Sequence, residues 1–348
     1  MNQPMKNLVA SHIASMDGYV PGEQPRGRDI VKLNTNENPY PPSPAVGRAL
    51  AEFDYASLRR YPDPMASALR ARVAEIHGCA VENVFVGNGS DEVLALATRA
   101  FVEDGGAVGC FDPTYSLYPV LSEIRHVACR RAPLNADFSW RTPPKDFAAD
   151  LFFLTNPNAP TGIAYPKAEI AAFCAAFGGV VLIDEAYADF AEDNCMDLAT
   201  APGNRNVIVS RTLSKSFSLA GIRTGYCVGP ADLIDAMYKV KDSYNLDAVT
   251  QAVALAALND LGWMRGNAEK IKATRARVAE ALRARGWTMT DSSTNFLFAR
   301  PPDGDGRRVF DGLRARNIFV RYFAATPEYI RITIGTDAEM DRLLTALG

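Results

Sequence analysis

The sequence predicts an α/β protein: a mostly parallel central sheet with helices on both faces, followed by a small α+β domain. Three observations lead there. The apolar segments VFVG, AVGCF, DLFFL, VVLI and NVIVS are short and continuous rather than alternating, the pattern of strands covered on both faces. Helical stretches such as EVLALATRAF and AEIAAFCAAF separate them. Polar and turn-forming residues follow each apolar run, so the turns gather at one end of the sheet.

The elements follow in order. Residues 1–44 are rich in proline and glycine and read as an extended N-terminal arm that joins the small domain. MASALRARVAEIHG is an amphipathic helix that stops at a glycine. VENVFVGNGSDEVLALATRAF reads as strand, glycine turn and helix, and AVGCFDPTYSLYPVLSEI as strand, turn and helix. DLFFLTNPNAPTG is a strand and turn, AEIAAFCAAFGG a helix, and VVLIDEAY, NVIVSRTLSK and GYCVG are strands. From about 232 to 285 the chain is mostly helical. NFLFAR, IFVRYF and YIRITIG then read as strands around helices. The expected division is an arm over 1–44, a large domain over 45–245 and a small domain over 246–348.

Composition narrows the function. Net charge is −3, which argues against a nucleic-acid or anionic-membrane binder. The six cysteines are scattered with no CxxC and only three histidines accompany them, so neither a disulfide framework nor a metal site is expected, and a reducing cytoplasm suits them. MNQPMKNLVASHIASMDGY lacks the order of a signal peptide. The uncharged run IAAFCAAFGGVVLI has 14 residues, short of the ~20 a bilayer needs.

In such sheets ligands sit beyond the carboxyl ends of the strands. GNGSDE, with Gly89, Ser90 and Asp91, places free backbone N–H groups at a helix start, suited to a phosphate or to a simple capped turn. It is neither a Walker loop nor GxGxxG, which disfavours a nicotinamide dehydrogenase. Asp184 ends a buried strand, where a carboxylate needs a partner: a protonated ring nitrogen, the start of a helix that it caps, or a structural ion pair. Tyr187 lies three residues on, able to reach the same ligand or to pack. Tyr115 in DPTYSLY could stack on a flat ring or fill the core, and TNPNAPTG could present Asn156 or Asn158 or be only a turn. Lys215, in RTLSK, becomes a Schiff-base nucleophile if its pocket is dry, and a solvated loop lysine if it is not. Thr212, Ser214 and Arg223 around it would suit a phosphate. An amine, a phosphate cup, an acid and an aromatic face at one sheet end are the parts that pyridoxal phosphate requires.

Here the sequence resembles the fold-type-I, aspartate-aminotransferase-like enzymes that use pyridoxal 5'-phosphate. It is most similar to the histidinol-phosphate aminotransferase family, through YVPG, KLNTNENPYPPSP, RRYPDP, GNGSDE, PTYSLY, NPNAPTG, DEAYADF, RTLSKSFSLAGIRTGY, KDSYNLDAVTQ, TNFLFAR and IRITIGT, almost end to end. The resemblance implies that Lys215 carries the cofactor as a Schiff base, Asp184 pairs with the ring nitrogen, Tyr187 lies near the ring hydroxyl and Tyr115 stacks. It places Gly89, Ser90, Asp91, Thr212, Ser214 and Arg223 around the phosphate, with Tyr61 reaching it from the other subunit of a homodimer. Arg331 matches the arginine that binds the substrate anion, with Arg321, Tyr19 and Asn36 as further substrate contacts. In one departure, Ala159 stands where the family has the asparagine that touches the ring hydroxyl, leaving Asn158 or Asn156 to replace it. The implied reaction is transamination of L-histidinol phosphate with 2-oxoglutarate in histidine biosynthesis. The alternatives are an aromatic amino acid aminotransferase, a threonine-phosphate decarboxylase-like lyase, and a non-catalytic binding protein on the same fold.

Overall fold

The computed structural model describes residues 8–27 and 29–348. The first seven residues of the N-terminal arm lie outside these. Among the described residues thirteen strands follow in chain order: β1 (Val31–Lys32), β2 (Val84–Gly87), β3 (Ala107–Asp112), β4 (Ala128–Pro133), β5 (Leu151–Thr155), β6 (Val180–Asp184) and β7 (Val207–Thr212), then β8 (Gly225–Val228), β9 (Thr288–Met289), β10 (Phe296–Arg300), β11 (Ile318–Phe319), β12 (Arg321–Tyr322) and β13 (Ile330–Thr333). Seven of them form the large sheet in the order β2-β8-β7-β6-β5-β3-β4. All neighbours are parallel except β8, which runs antiparallel to both β2 and β7.

The continuous apolar runs have a direct cause. Alternate side chains of each strand enter two different cores. Phe152, Leu154, Val181, Ile183, Val207 and Val209 point into one cluster. Leu151, Phe153, Leu182 and Ile208, from the same strands, point into the other. Helices cover both, so neither face can be polar. Each such large side chain, once buried, contributes about 1.5–3 kcal/mol. The edge strand β4 is the exception. Its residues ACRRAP are mostly exposed, and its polar pattern gave no strand signal in the sequence.

The smaller sheet has the order β12-β13-β10-β9 and is antiparallel. It packs with parts of Leu261–Arg283 and Asp337–Leu347 in a third core. That core also takes Val31 and Leu33 from the arm, and Ala159, Tyr187 and Phe190 from the large sheet's loops. Strand β1 pairs in parallel with β11, tying the arm to the C-terminal region.

Two segments differ from their sequence reading. IFVRYF is two short strands rather than one: Ile318–Phe319 pairs with the arm and Arg321–Tyr322 with β13. The helix Ala248–Leu258, grouped by sequence with the small domain, packs in the large core through Val253, Ala254, Ala257 and Leu258. Its apolar residues find a ready cover there against Pro44–Ala51 and Ser67–His77. Among the described residues no helix is long and apolar enough to cross a membrane.

Candidate active site

A cavity of about 260 Å³ opens where the carboxyl ends of the large sheet meet the small sheet and the arm. Asp184 lies in its wall at the end of β6, 3% exposed. Its Oδ2 accepts from the Tyr118 hydroxyl at 2.9 Å, and its Oδ1 from the Ala186 amide at 3.2 Å and the Ser210 hydroxyl at 3.4 Å. Among the described residues no lysine, arginine or histidine pairs with it. Burial therefore pushes its carboxyl up to about 6, against the lowering effect of the Tyr118 hydrogen bond.

Lys215 stands three residues beyond β7, with its side chain in the same cavity. Its Nζ donates to the Thr35 carbonyl at 3.2 Å and lies 5.9 Å from the Tyr187 ring centre. Burial first, and the Arg331 charge second, hold the ammonium down to about 8. An amine so placed is part neutral near neutral pH and can act as nucleophile or base.

One end of the cavity is an anion cup. Ser90 and Asp91 start the helix Gly89–Phe101, whose N–H groups and dipole favour negative charge. Thr212 Oγ1 donates to Ser214 Oγ at 3.0 Å, and Arg223 Nη1 reaches the same Ser214 oxygen at 3.4 Å. Arg223 Nη2 donates to Asp91 Oδ2 at 3.1 Å. Gly89 has φ +81, and a Cβ there would sit 2.6 Å from Arg223 Nη2, so the cup requires glycine. Tyr115 forms part of the wall, its hydroxyl donating to Asp91 Oδ1 at 3.3 Å, and burial holds its phenol well above the usual range.

The other end carries two arginines. Arg321 and Arg331 are directly paired across β12 and β13, a register the sequence does not reveal. Arg331 Nη2 donates to the Asn34 carbonyl at 3.1 Å, while its buried Nε has no hydrogen-bond partner. Its guanidinium lies 5.2 Å from the Phe296 ring centre and 5.3 Å from that of Phe323. Arg321 is held by the carbonyls of Val20 and Pro21. Tyr19 stands edge-on to Tyr115, with ring centres 6.1 Å apart. Asn36, at φ +57, donates from Nδ2 to the Tyr187 hydroxyl at 2.9 Å.

The structure thus brings the residues predicted for this end of the sheet to the cavity wall, apart from Gly89, Asn156, Asn158 and Tyr61. Asn158 does not reach the cavity, because its Nδ2 is used by the Pro113 carbonyl and the Thr161 hydroxyl. Asn156 also turns away, towards Cys195 and the Tyr165 amide. The Ala159 side of the turn lines the cavity instead. Tyr61 also lies outside the cavity: it is 79% exposed and stacks on Tyr244 at 4.4 Å. Sequence reasoning missed Tyr118, the buried donor to Asp184, and Thr155, Glu37 and Phe323 in the wall. The spacing of Tyr115 and Tyr118, one helical turn apart in DPTYSLY, was the available signal.

The residues present fit a flat, cationic, phosphorylated aldehyde: an amine, an unpaired buried carboxylate, an aromatic wall and a glycine-dependent anion cup. Such a site on this sheet is that of a pyridoxal-phosphate enzyme, and residues 28–347 match the family model for aminotransferase class I and II. The chain belongs to that family and, within it, to the histidinol-phosphate aminotransferases. It is 45% identical over 343 residues to the histidinol-phosphate aminotransferase of Geobacter sulfurreducens, covering 97% of each chain. Its identity to the Chromohalobacter salexigens protein of the same name is 44% over 351 residues, 99% of each. Among solved structures, the histidinol-phosphate aminotransferase of Sinorhizobium meliloti in complex with pyridoxal-5'-phosphate superposes with a TM-score of 0.87 at 26% identity, covering 98% of this chain and 97% of that one.

Proposed function

We propose that this chain transfers an amino group from L-histidinol phosphate to 2-oxoglutarate with pyridoxal 5'-phosphate as cofactor, as a cytoplasmic homodimer. The observation that carries the reading is the pairing, in one cavity, of an amine and a buried carboxylate that has no cation of its own. When bound, the cofactor supplies an aldehyde to join to an amine and a protonated ring that withdraws electrons.

The chain's residues then take the following parts. Lys215 Nζ would hold the cofactor's aldehyde carbon and, when free, would be the base that moves a proton at the substrate α-carbon. Asp184 would keep the ring nitrogen protonated, with the Tyr118 hydroxyl donating to its carboxylate. Tyr115 would hold the ring by its aromatic face, and Tyr187, whose hydroxyl accepts from Asn36 Nδ2, would contact the ring hydroxyl. Ala159 offers that hydroxyl no polar contact. Gly89, Ser90, Thr212, Ser214 and Arg223 hold the phosphate, and Asp91 orients Arg223 and Tyr115. Arg331 and Arg321, beside Tyr19, bind the substrate's phosphate in one half-reaction and a carboxylate in the other. Exposed Tyr55, Leu58, Tyr61 and Tyr244 supply an apolar face for a second copy, from which Tyr61 reaches the partner's phosphate cup.

The test is one protein preparation assayed with histidinol phosphate, phenylalanine and threonine phosphate, each with 2-oxoglutarate. The highest kcat/KM is expected for histidinol phosphate. A preference for phenylalanine, or release of carbon dioxide from threonine phosphate, would overturn the substrate assignment. Lys215→Ala is expected to lose the absorbance near the visible edge and all multiple turnover; a retained band would refute the lysine's role.

A further inference from the structure

Beneath the cavity a chain of buried charges joins the two segments that carry the site. Glu185 follows Asp184 and is 1% exposed. Its Oε2 accepts from Arg211 Nε at 2.8 Å and from Nη2 at 2.8 Å, and its Oε1 accepts from the Cys195 amide. Arg211 is 8% exposed, and its Nη1 donates to Asp189 Oδ1 at 2.9 Å. The other Asp189 oxygen accepts from the Ser216 hydroxyl, and Ser216 follows Lys215. From the opposite side, Asn38 Nδ2 donates to the carbonyls of Lys215 and Ser216 at 3.2 and 3.0 Å. The residue after the acid and the residue after the amine are therefore the two ends of one hydrogen-bonded path.

None of the four side chains on this path lines the cavity, so none touches substrate or cofactor. Nor is net stability a sufficient reason for the path, because desolvation offsets most of the attraction in a buried ion cluster. What the planar guanidinium fork supplies is fixed geometry. We propose that Glu185, Arg211, Asp189 and Ser216 form a positioning device that sets the Lys215 amine relative to the Asp184 carboxylate. The proposal rests on the reading of Lys215 as the cofactor-binding amine.

The consequence concerns how dry the amine is. Lys215 Nζ is held at the Thr35 carbonyl, amid the charges of Arg331, Asp91, Glu37 and Arg223. If Ser216 lets go of Asp189, the loop after β7 loosens and the amine gains water. Its titration midpoint then rises from about 8 towards the ordinary 10.5. Misplacement of a reacting group by about 1 Å can lower turnover by about 10²-fold.

The experiment is competitive acetylation of the full-length apoprotein across pH, followed at the Lys215 peptide by mass spectrometry, alongside kcat and KM of the loaded enzyme. For Ser216→Ala the Lys215 midpoint is expected to rise by about one pH unit, with kcat down about 10- to 10²-fold and KM little changed. Ser216→Thr, which keeps the hydroxyl, is expected to restore both. A wild-type midpoint and kcat in Ser216→Ala would overturn the proposal, even with a lowered melting temperature. If Ser216→Ala does not fold, Asp189→Asn, which keeps shape and removes one charge, takes its place: a raised midpoint with lowered kcat supports the device, and wild-type values of both overturn it. Wild-type Lys215 that pyridoxal phosphate fails to protect from acetylation would overturn the lysine reading and the proposal with it. A protected Lys215 with an unmoved midpoint would overturn the positioning device alone.

Discussion

Replacing Asp184 by asparagine separates what the carboxylate does for the reaction from what it does to the fold. The carboxyl is raised from 3.8 to about 6 by burial. A folded value above the unfolded one means that the folded apoprotein holds the proton more tightly. The stability linked to that proton is present below pH 3.8 and is lost as pH rises through about 6. At 1.36 kcal/mol for each pH unit between the two values, the ionised carboxylate destabilises the apoprotein by about 3 kcal/mol at pH 8. The penalty is roughly half that at pH 5 and under about 1 kcal/mol at pH 4. Asparagine carries no charge at any of these values. Its Oδ1 can still accept from the Ala186 amide, and its Nδ2 can donate to the Tyr118 hydroxyl. Apo Asp184→Asn is therefore expected to be more stable than wild type at pH 8, by up to about 3 kcal/mol, with the difference shrinking to under about 1 kcal/mol at pH 4. Denaturant unfolding at fixed protein concentration measures this. Turnover should fall by several powers of ten and cofactor affinity should weaken, because the ring nitrogen loses its counter-charge. A variant that gains nothing at pH 8, or that turns over at a near-normal rate, would refute the reasoning.

Two further predictions concern the anion sites. Arg331→Met removes a half-buried cation whose buried Nε is free, so kcat/KM for histidinol phosphate is expected to fall by the equivalent of about 2–5 kcal/mol, mostly through KM; an unchanged KM would show that the substrate anion binds elsewhere. Tyr61→Phe removes one exposed hydroxyl that makes no hydrogen bond among the described residues, on a ring that stacks on Tyr244. Stability should be unchanged while the cofactor Kd rises by about 1.5–3 kcal/mol, the worth of a hydrogen bond to a charged group; an unchanged Kd, by equilibrium titration of the apoprotein, would remove Tyr61 from the partner's cup.

The large sheet was legible because its strands serve two cores at once, which leaves no polar position to interrupt the apolar runs. Strand β4 was not, since an edge strand with Arg130 and Arg131 exposed carries neither a continuous nor a cleanly alternating pattern. At the site, Lys215, Asp184 and Tyr115 were legible because each follows a strand at the end where ligands sit. Arg321 and Arg331 were visible as residues but not as a pair, because their adjacency depends on the register of two strands ten residues apart in sequence. The choice among Asn156, Asn158 and Ala159 was closed to sequence for a similar reason. Local hydrogen bonds to Thr161 and Tyr165 decide which side chains that turn exposes, and both asparagines are consumed by the fold.

Two adjacent carboxylates show how the chain divides its charges between structure and chemistry. Asp184 and Glu185 are both buried at the end of β6, 3% and 1% exposed. Because successive side chains of a strand point to opposite faces, one enters the cavity and the other the layer beneath it. Glu185 meets two nitrogens of Arg211 and an amide, so its charge is answered within the fold. Asp184 meets only hydroxyls and an amide, so its charge is left for a cation that the fold does not contain. Arg331 Nε at the far end likewise has no hydrogen-bond partner among the described residues, and the Lys215 ammonium donates to a carbonyl with no carboxylate in a salt bridge to it among them. A chain selected for stability alone would pair these groups or replace them. That they remain buried and open, around one cavity and next to a neighbour whose charge is answered, locates the binding energy for the ligand in the groups the fold leaves unpaired.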